Sequence, residues 1–154
     1  MAGDISARLA ALNIELPNVQ PPVANYVPVV VSGHQVFVAG QVCVWNGQFR
    51  HIGQLGREIS IEEGQAAARL CGLNIVAQLQ AALGDLDRLT RCIRLNVFVS
   101  STADFTDQPK VANGASDLMV EVFGDAGKHT RSAVGVAQLP FGVSVEIDAV
   151  FEIA

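Results

Sequence analysis

Arg131 heads a stretch, RSAVGVAQLPFGVSVEIDAVFEI over 131–153, in which charged and small side chains alternate with branched apolar ones. A guanidinium is permanently charged and presents a planar fork that matches a carboxylate, so an arginine floored by Ala133 and Gly135 suits a small organic acid. Glu146, further along, could orient or deprotonate a water beside such an anchored substrate, provided burial or neighbouring charge tunes its pKa. Asp148 could do the same but sits nearer the structural half of its strand. The plain alternative is an ion pair of Arg131 with Glu146 or Asp148 that merely ties the strands together.

Two other positions carry a double reading. Gly40, directly after the apolar run Val36-Phe37-Val38-Ala39, either lets a ligand approach the backbone or forms a simple bulge. Tyr26, the single tyrosine, stands at a strand entrance where its hydroxyl could bond a ligand or cap a neighbouring subunit's edge. No serine lies in a nucleophile elbow, and Gly124-Asp125-Ala126-Gly127 reads as a helix stop rather than a phosphate loop. His34, His51 and His129 are isolated in the sequence. Cys43, Cys71 and Cys92 are odd in number, well separated and set in apolar patterns, so they read as buried free thiols. No metal site and no cofactor are expected.

The elements that must position these residues follow from periodicity. Alternation over 131–153 predicts a β-hairpin turning at 139–142. Val134, Val136, Val143, Val145, Ile147, Ala149, Phe151 and Ile153 form its core face, and Arg131, Ala133, Gly135, Glu146 and Asp148 share the other. Strands are also expected at 29–32, 35–39 and 41–45, and Asn46-Gly47 turns the last of these into 48–51. Pro28 confines the first strand to a start or an edge. Ser60-Ile61-Glu62-Glu63 is a capping box opening a helix that ends at Gly84. A long strand follows over 89–100. A second helix begins near Pro109 and ends at Gly124, with Gly114 a mild penalty inside it. A short helix over 4–14 and a proline-rich connector account for the N-terminus, 1–20. The order β-β-β(-β)-α-β-α-β-β describes an α+β fold, one domain over 1–154, with two long helices packed on one face of a mixed sheet.

Bulk properties narrow the function. The 154 residues are 50% hydrophobic and 16% charged, apolar for a soluble monomer, where about a quarter charged is usual. Two helices cover one sheet face only, so the second apolar face is expected to pack on other copies of the chain. A net charge of −5 with scattered basic residues argues against nucleic acid as a partner. Uninterrupted apolar runs are short of a membrane span, and no secretory signal is visible, so a cytoplasmic protein is expected.

The C-terminal stretch resembles the signature of the RidA/YjgF family: Arg-Ser, a short apolar strand, Leu139-Pro140, then Val145-Glu146-Ile147-Asp148-Ala149. Tyr26, the run 36–41 and Asn96-Val97-Phe98-Val99 followed by Asp104-Phe105 extend the similarity over nearly all of 20–154. The resemblance implies a chorismate-mutase-like fold and a homotrimer packed sheet to sheet, with three clefts between subunits. It also implies hydrolysis of 2-imino or enamine acids to 2-keto acids and ammonia, as in 2-iminobutanoate/2-iminopropanoate deaminases. Arg131 would grip the carboxylate and Glu146 would position the water; Tyr26, Gly40, Asn113 and Ala133 map to substrate-binding positions. Ala39 stands where deaminases of the family often have Ser, and Ala133 where they often have Cys, which removes polar contacts. A non-catalytic trimer that binds small carboxylic acids is the alternative, and an endoribonuclease-like activity the third reading.

Overall fold

The computed structural model describes residues 3–19 and 24–154. In chain order the elements are α1 (Asp4–Ala11), β1 (Val29–Ser32), β2 (Gln35–Val42), β3 (Val44–Trp45), β4 (Gln48–Phe49), α2 (Ile61–Leu83), β5 (Leu89–Ser100), α3 (Gln108–Phe123), β6 (Thr130–Val136) and β7 (Val145–Ile153). Five strands form one mixed sheet in the order β1-β2-β7-β5-β6, and β3 pairs with β4 in a small hairpin. Within the large sheet β5 and β6 run parallel and the other pairs antiparallel. This is the α+β architecture expected from the sequence.

The predicted β6–β7 hairpin does not form, because β5 lies between the two strands. Twelve residues long, β5 offers both edges, pairing with β7 on one side and with β6 on the other. Residues 137–144 carry the chain across it through a turn in which Phe141 and Gly142 both have positive φ. The strand predicted over 35–39 and the start of the one at 41–45 are a single bulged strand, β2, whose pairing with β7 slips between Val38 and Gln41. Pro28 precedes β1, which is an edge strand, as its missing N–H requires.

Alternation places the core. Val145, Ile147, Ala149, Phe151 and Ile153 of β7 are buried against the helices with Val36, Val38, Leu95, Val97 and Val99. Ser60 caps α2 by accepting the Glu63 amide at 3.1 Å, while Glu63 takes the Ser60 hydroxyl rather than its backbone N–H. The 23 residues of α2 have a hydropathy of 1.2 over an 18-residue window, long and apolar enough to cross a membrane; 67% of that window is buried in this domain. Helix propensity alone undervalues Gly114: a Cβ there would run into the Gln65 backbone carbonyl, so its absence lets α3 lie directly on α2.

The opposite sheet face has no helix on it. Val30, Phe37 and Val134 are exposed there, interspersed with Arg94, Asn96, Glu146 and Asp148.

Candidate functional site

The register settles where each candidate points. Arg131 pairs with Leu95 and Ala133 with Val97, so Arg131, Ala133 and Gly135 stand on the helix side of the sheet. Glu146 pairs with Phe98 and Asp148 with Asn96, on the open side. The two charged sets expected on one face are therefore separated by the sheet itself. Alternation holds within each strand, but their relative phase is set by two different registers with β5 rather than by a hairpin. The ion-pair alternative fails for the same reason. Among the described residues the salt bridges are Arg69–Glu121, Lys110–Asp107 and Lys128–Asp125.

On the helix side, α3 and β6 build a cluster around Arg131. Its Nη1 donates to Asn113 Oδ1 at 2.9 Å and to Ser116 Oγ at 3.1 Å. Asn113 and Ser116 are three apart on α3 and so share a face. Ser116 Oγ lies 2.9 Å from His129 Nε2, and His129 Nδ1 lies 2.7 Å from the Gly127 carbonyl. A carbonyl can only accept, so in the neutral ring Nδ1 carries the proton and Nε2 accepts from the Ser116 hydroxyl. That fixes the direction of the whole chain and leaves Ser116 lone pairs for Arg131. Nη2 and Nε donate to no protein group among the described residues. A shallow cleft of about 260 Å³ lined by Ser116, Asp117, Val120, Lys128, His129 and Arg131 opens beside them. Ser116 and His129 were missed in the sequence; the signal available was that His129 lies two residues before Arg131, hence on the same side of the chain.

On the open side, Glu146 is held by burial rather than by donors. It stands between Val42 of β2 and Phe98 of β5. Gly40 lies over it so closely that a Cβ would be 3.1 Å from its carboxyl carbon; the bulge and the glycine together give the carboxylate its room. Desolvation raises the Glu146 pKa above the usual carboxylate range, and the charge of Asp148 adds to the shift. Asp148 has a different task. Asn96 donates to it at 2.7 Å, Arg94 Nε donates to Asn96 at 2.7 Å, and Arg94 Nη2 donates to Ser132 at 3.2 Å, a polar ladder across three strands. A cleft of about 490 Å³ runs along this face past Val27, Phe37, Ala39, Gly40, Asn96 and Asp148. Tyr26, exposed and next to Val27, stands at its rim-side strand entrance.

The structure thus brings Asn113 to Arg131 and Gly40 to Glu146. Ala133 packs toward the core two residues beyond Arg131. Among the described residues no three His, Cys, Asp or Glu side chains converge as a metal site would require.

Residues 6–149 match the family described as "YjgF/chorismate mutase-like, putative endoribonuclease". Protein TCP17 of Trypanosoma cruzi is 53% identical over 153 residues, 99% of this chain and 96% of that protein. Among solved structures, the protein Atu1372 of unknown function from Agrobacterium tumefaciens superposes with a TM-score of 0.91 at 46% identity, covering 97% of this chain and 92% of that one. Escherichia coli TdcF, solved with bound serine, is similar at a TM-score of 0.64 and 26% identity, over 91% of this chain and 99% of its own.

Proposed function

Since the chain belongs to the YjgF/chorismate-mutase-like family, we propose that it hydrolyses reactive 2-imino or enamine acids to 2-keto acids and ammonia in clefts between subunits of a homotrimer. The observation that carries this reading is the placement of Arg131 and Glu146 on opposite sides of one sheet. One copy cannot present both to a single small molecule. β6 is an edge strand, so its Arg131 cluster can meet the open face of a neighbour, where exposed Val30, Phe37 and Val134 supply apolar contact area.

In such a cleft the unused Nη2 and Nε donors of Arg131 take the substrate carboxylate bidentately, with Asn113 and Ser116 holding the guanidinium in place. Glu146 of the other copy accepts a proton from water as that water attacks the imine carbon. That proton passes to the nitrogen, giving a carbinolamine; the carbinol hydroxyl's proton then follows through Glu146, the C–N bond breaks, and the nitrogen leaves as ammonia while the carbon becomes a carbonyl. A carboxylate raised by desolvation is a better base than one in bulk water, which favours Glu146 over Asp148. The serine bound to TdcF is a ligand of the size proposed here.

An amino acid oxidase can generate the imino acid in situ. The protein should accelerate its decay, and Arg131→Ala should abolish the acceleration; equal decay rates with and without wild-type protein would refute the reading. Ala39, which lines the Glu146-side cleft, favours a second reading by offering a methyl group where a hydroxyl would assist the chemistry. This is a small-acid-binding trimer without turnover, and keto-acid binding with unchanged imine decay would select it. Endoribonuclease activity, named in the family description, is the weakest fit to a chain with 15 acidic and 10 basic residues.

A further inference from the structure

β5 and β6 are the parallel pair of the large sheet, and α3 is the crossover that joins them. Parallel strands joined by a helix leave a crevice where the strands end and the helix begins. Here it is a solvent-open cavity of about 700 Å³ lined by Gln54, Arg57, Thr102, Gln108, Gly135 and Gln138. It is larger than either cleft described above and shares no lining residue with them. Its polar groups are held in fixed directions. Gln108 Nε2 donates to the Phe105 carbonyl at 2.8 Å and to Ser101 Oγ at 3.3 Å, while the Ser101 hydroxyl donates to the Val99 carbonyl at 3.2 Å. Gln54 Nε2 donates to the Ala137 carbonyl at 3.0 Å. A carbonyl only accepts, so both amides are locked with their nitrogens toward the protein. Neither Oε1 takes a hydrogen bond from another described residue. Gly135 makes room for this: a Cβ there would stand 2.7 Å from Ser101 Oγ and 2.8 Å from Gln108 Nε2. Arg57, exposed at the same cavity, donates from its guanidinium to no protein group among the described residues. The carboxylates nearest in the chain are engaged elsewhere. Glu58 takes the Gln54 backbone N–H at 2.8 Å, Asp104 takes the Thr102 hydroxyl at 2.8 Å, and Asp107 pairs with Lys110 at 3.7 Å.

We propose that this crevice binds a free α-amino acid with a polar, uncharged side chain, its carboxylate on Arg57 and its ammonium on the Oε1 atoms of Gln54 and Gln108. A permanent planar cation with unused donors calls for an anion that accepts two hydrogen bonds. Two uncharged acceptors locked in direction call for N–H donors. A keto acid lacks the donors and a simple amine lacks the anion, whereas an α-amino acid carries both on one carbon. Thr102 and Gln138 offer a hydroxyl and an amide to the side chain, which favours a polar one over a hydrocarbon. The volume falls in the range of small-molecule sites, about 300–1,000 Å³.

The test uses the whole chain and does not depend on imine hydrolysis. L-glutamine is titrated to millimolar concentration while the side-chain amide signals of Gln54 and Gln108 are followed by nitrogen-15 NMR. Both signals should shift and saturate. Glutaramic acid, which is glutamine without its ammonium, and 4-aminobutanamide, which is glutamine without its carboxylate, should each bind about tenfold more weakly, the range for one hydrogen bond to a charged group. Arg57→Ala, at an exposed position, should weaken L-glutamine by a similar factor. Gly135→Ala should weaken it too, by displacing the Gln108 amide. Arg131→Ala should bind L-glutamine as the wild type does. No saturable shift at the two amides, equal affinity for the three compounds, or unchanged affinity in Arg57→Ala would overturn the proposal. So would binding that Arg131→Ala abolishes, because the ligand would then sit at the proposed catalytic cleft.

Discussion

The α3–β6 edge and the open face of β7 each hold one charged group of the proposed site, by opposite means. Arg131 is held by polar partners through Nη1: Asn113, Ser116 and, through Ser116, His129 fix its guanidinium on a half-exposed edge strand. Glu146 sits on a central strand beneath Gly40, with its negative charge opposed by burial and by Asp148. A carboxylate anchor gains from being charged at every pH and geometrically fixed; a base gains from being uncomfortable as an anion. The two requirements conflict within one small cluster, because Arg131 beside Glu146 would lower the very pKa that burial raises. Their placement on opposite faces of one sheet lets each be prepared separately.

The sharpest way to break this comparison is complementation. Arg131→Ala and Glu146→Gln should each lower imine hydrolysis by about 10²–10⁴-fold. Unfolding and refolding the two together should restore activity, because mixed trimers pair an intact arginine with an intact glutamate across an interface. Mixed trimers verified by native mass spectrometry but still inactive would place both groups in one copy's site and refute the division.

The next largest effect lies in the scaffold of the arginine half. Gly114→Ala inserts a methyl into the α2–α3 contact next to Asn113 and should cost about 3 kcal/mol in urea unfolding. The same change at exposed, positive-φ Gly33, where nothing crowds a Cβ, should cost less. Equal costs would show that helix approach is not what Gly114 provides.

Ser116→Ala should be milder. It removes one hydrogen bond to Arg131 and the link to His129, so KM for the imino acid should rise about tenfold with kcat little changed, the range for a hydrogen bond to a charged group. A fall in kcat alone would place Ser116 in the chemical step.

The smallest effect separates the halves by pH. Because the folded protein raises the Glu146 pKa, the native state holds its proton more tightly than the unfolded chain does. The stability from this group is complete below the unfolded pKa and is lost as pH rises through the folded one. Wild type should therefore lose slightly more stability across that window than Glu146→Gln, and the acid limb of kcat/KM should lie above the ordinary carboxylate range. Indistinguishable stability profiles would mean that Glu146 is solvated as well in the folded chain as in the unfolded one.

Much of the fold was legible because its signals are local. Ser60 and Gly84 bound α2, Pro109 and Gly124 frame α3, and period-two burial runs through β5 and β7. The three buried thiols followed from their apolar neighbours. Arg131, Glu146 and Gly40 stand out by residue type and Asn113 by the family resemblance, and the structure brings them together in two pairs. Their arrangement was not, since alternation fixes which side chains share a face within one strand but not how two strands are phased. That phase came from β5, which inserts between β6 and β7 through backbone pairing over 89–100. The tie from Arg131 through Ser116 to His129 likewise required α3 to be laid on the sheet. The sequence alone determined which groups could act; the tertiary structure decided which could meet, because strand order and register depend on contacts between residues far apart in the chain.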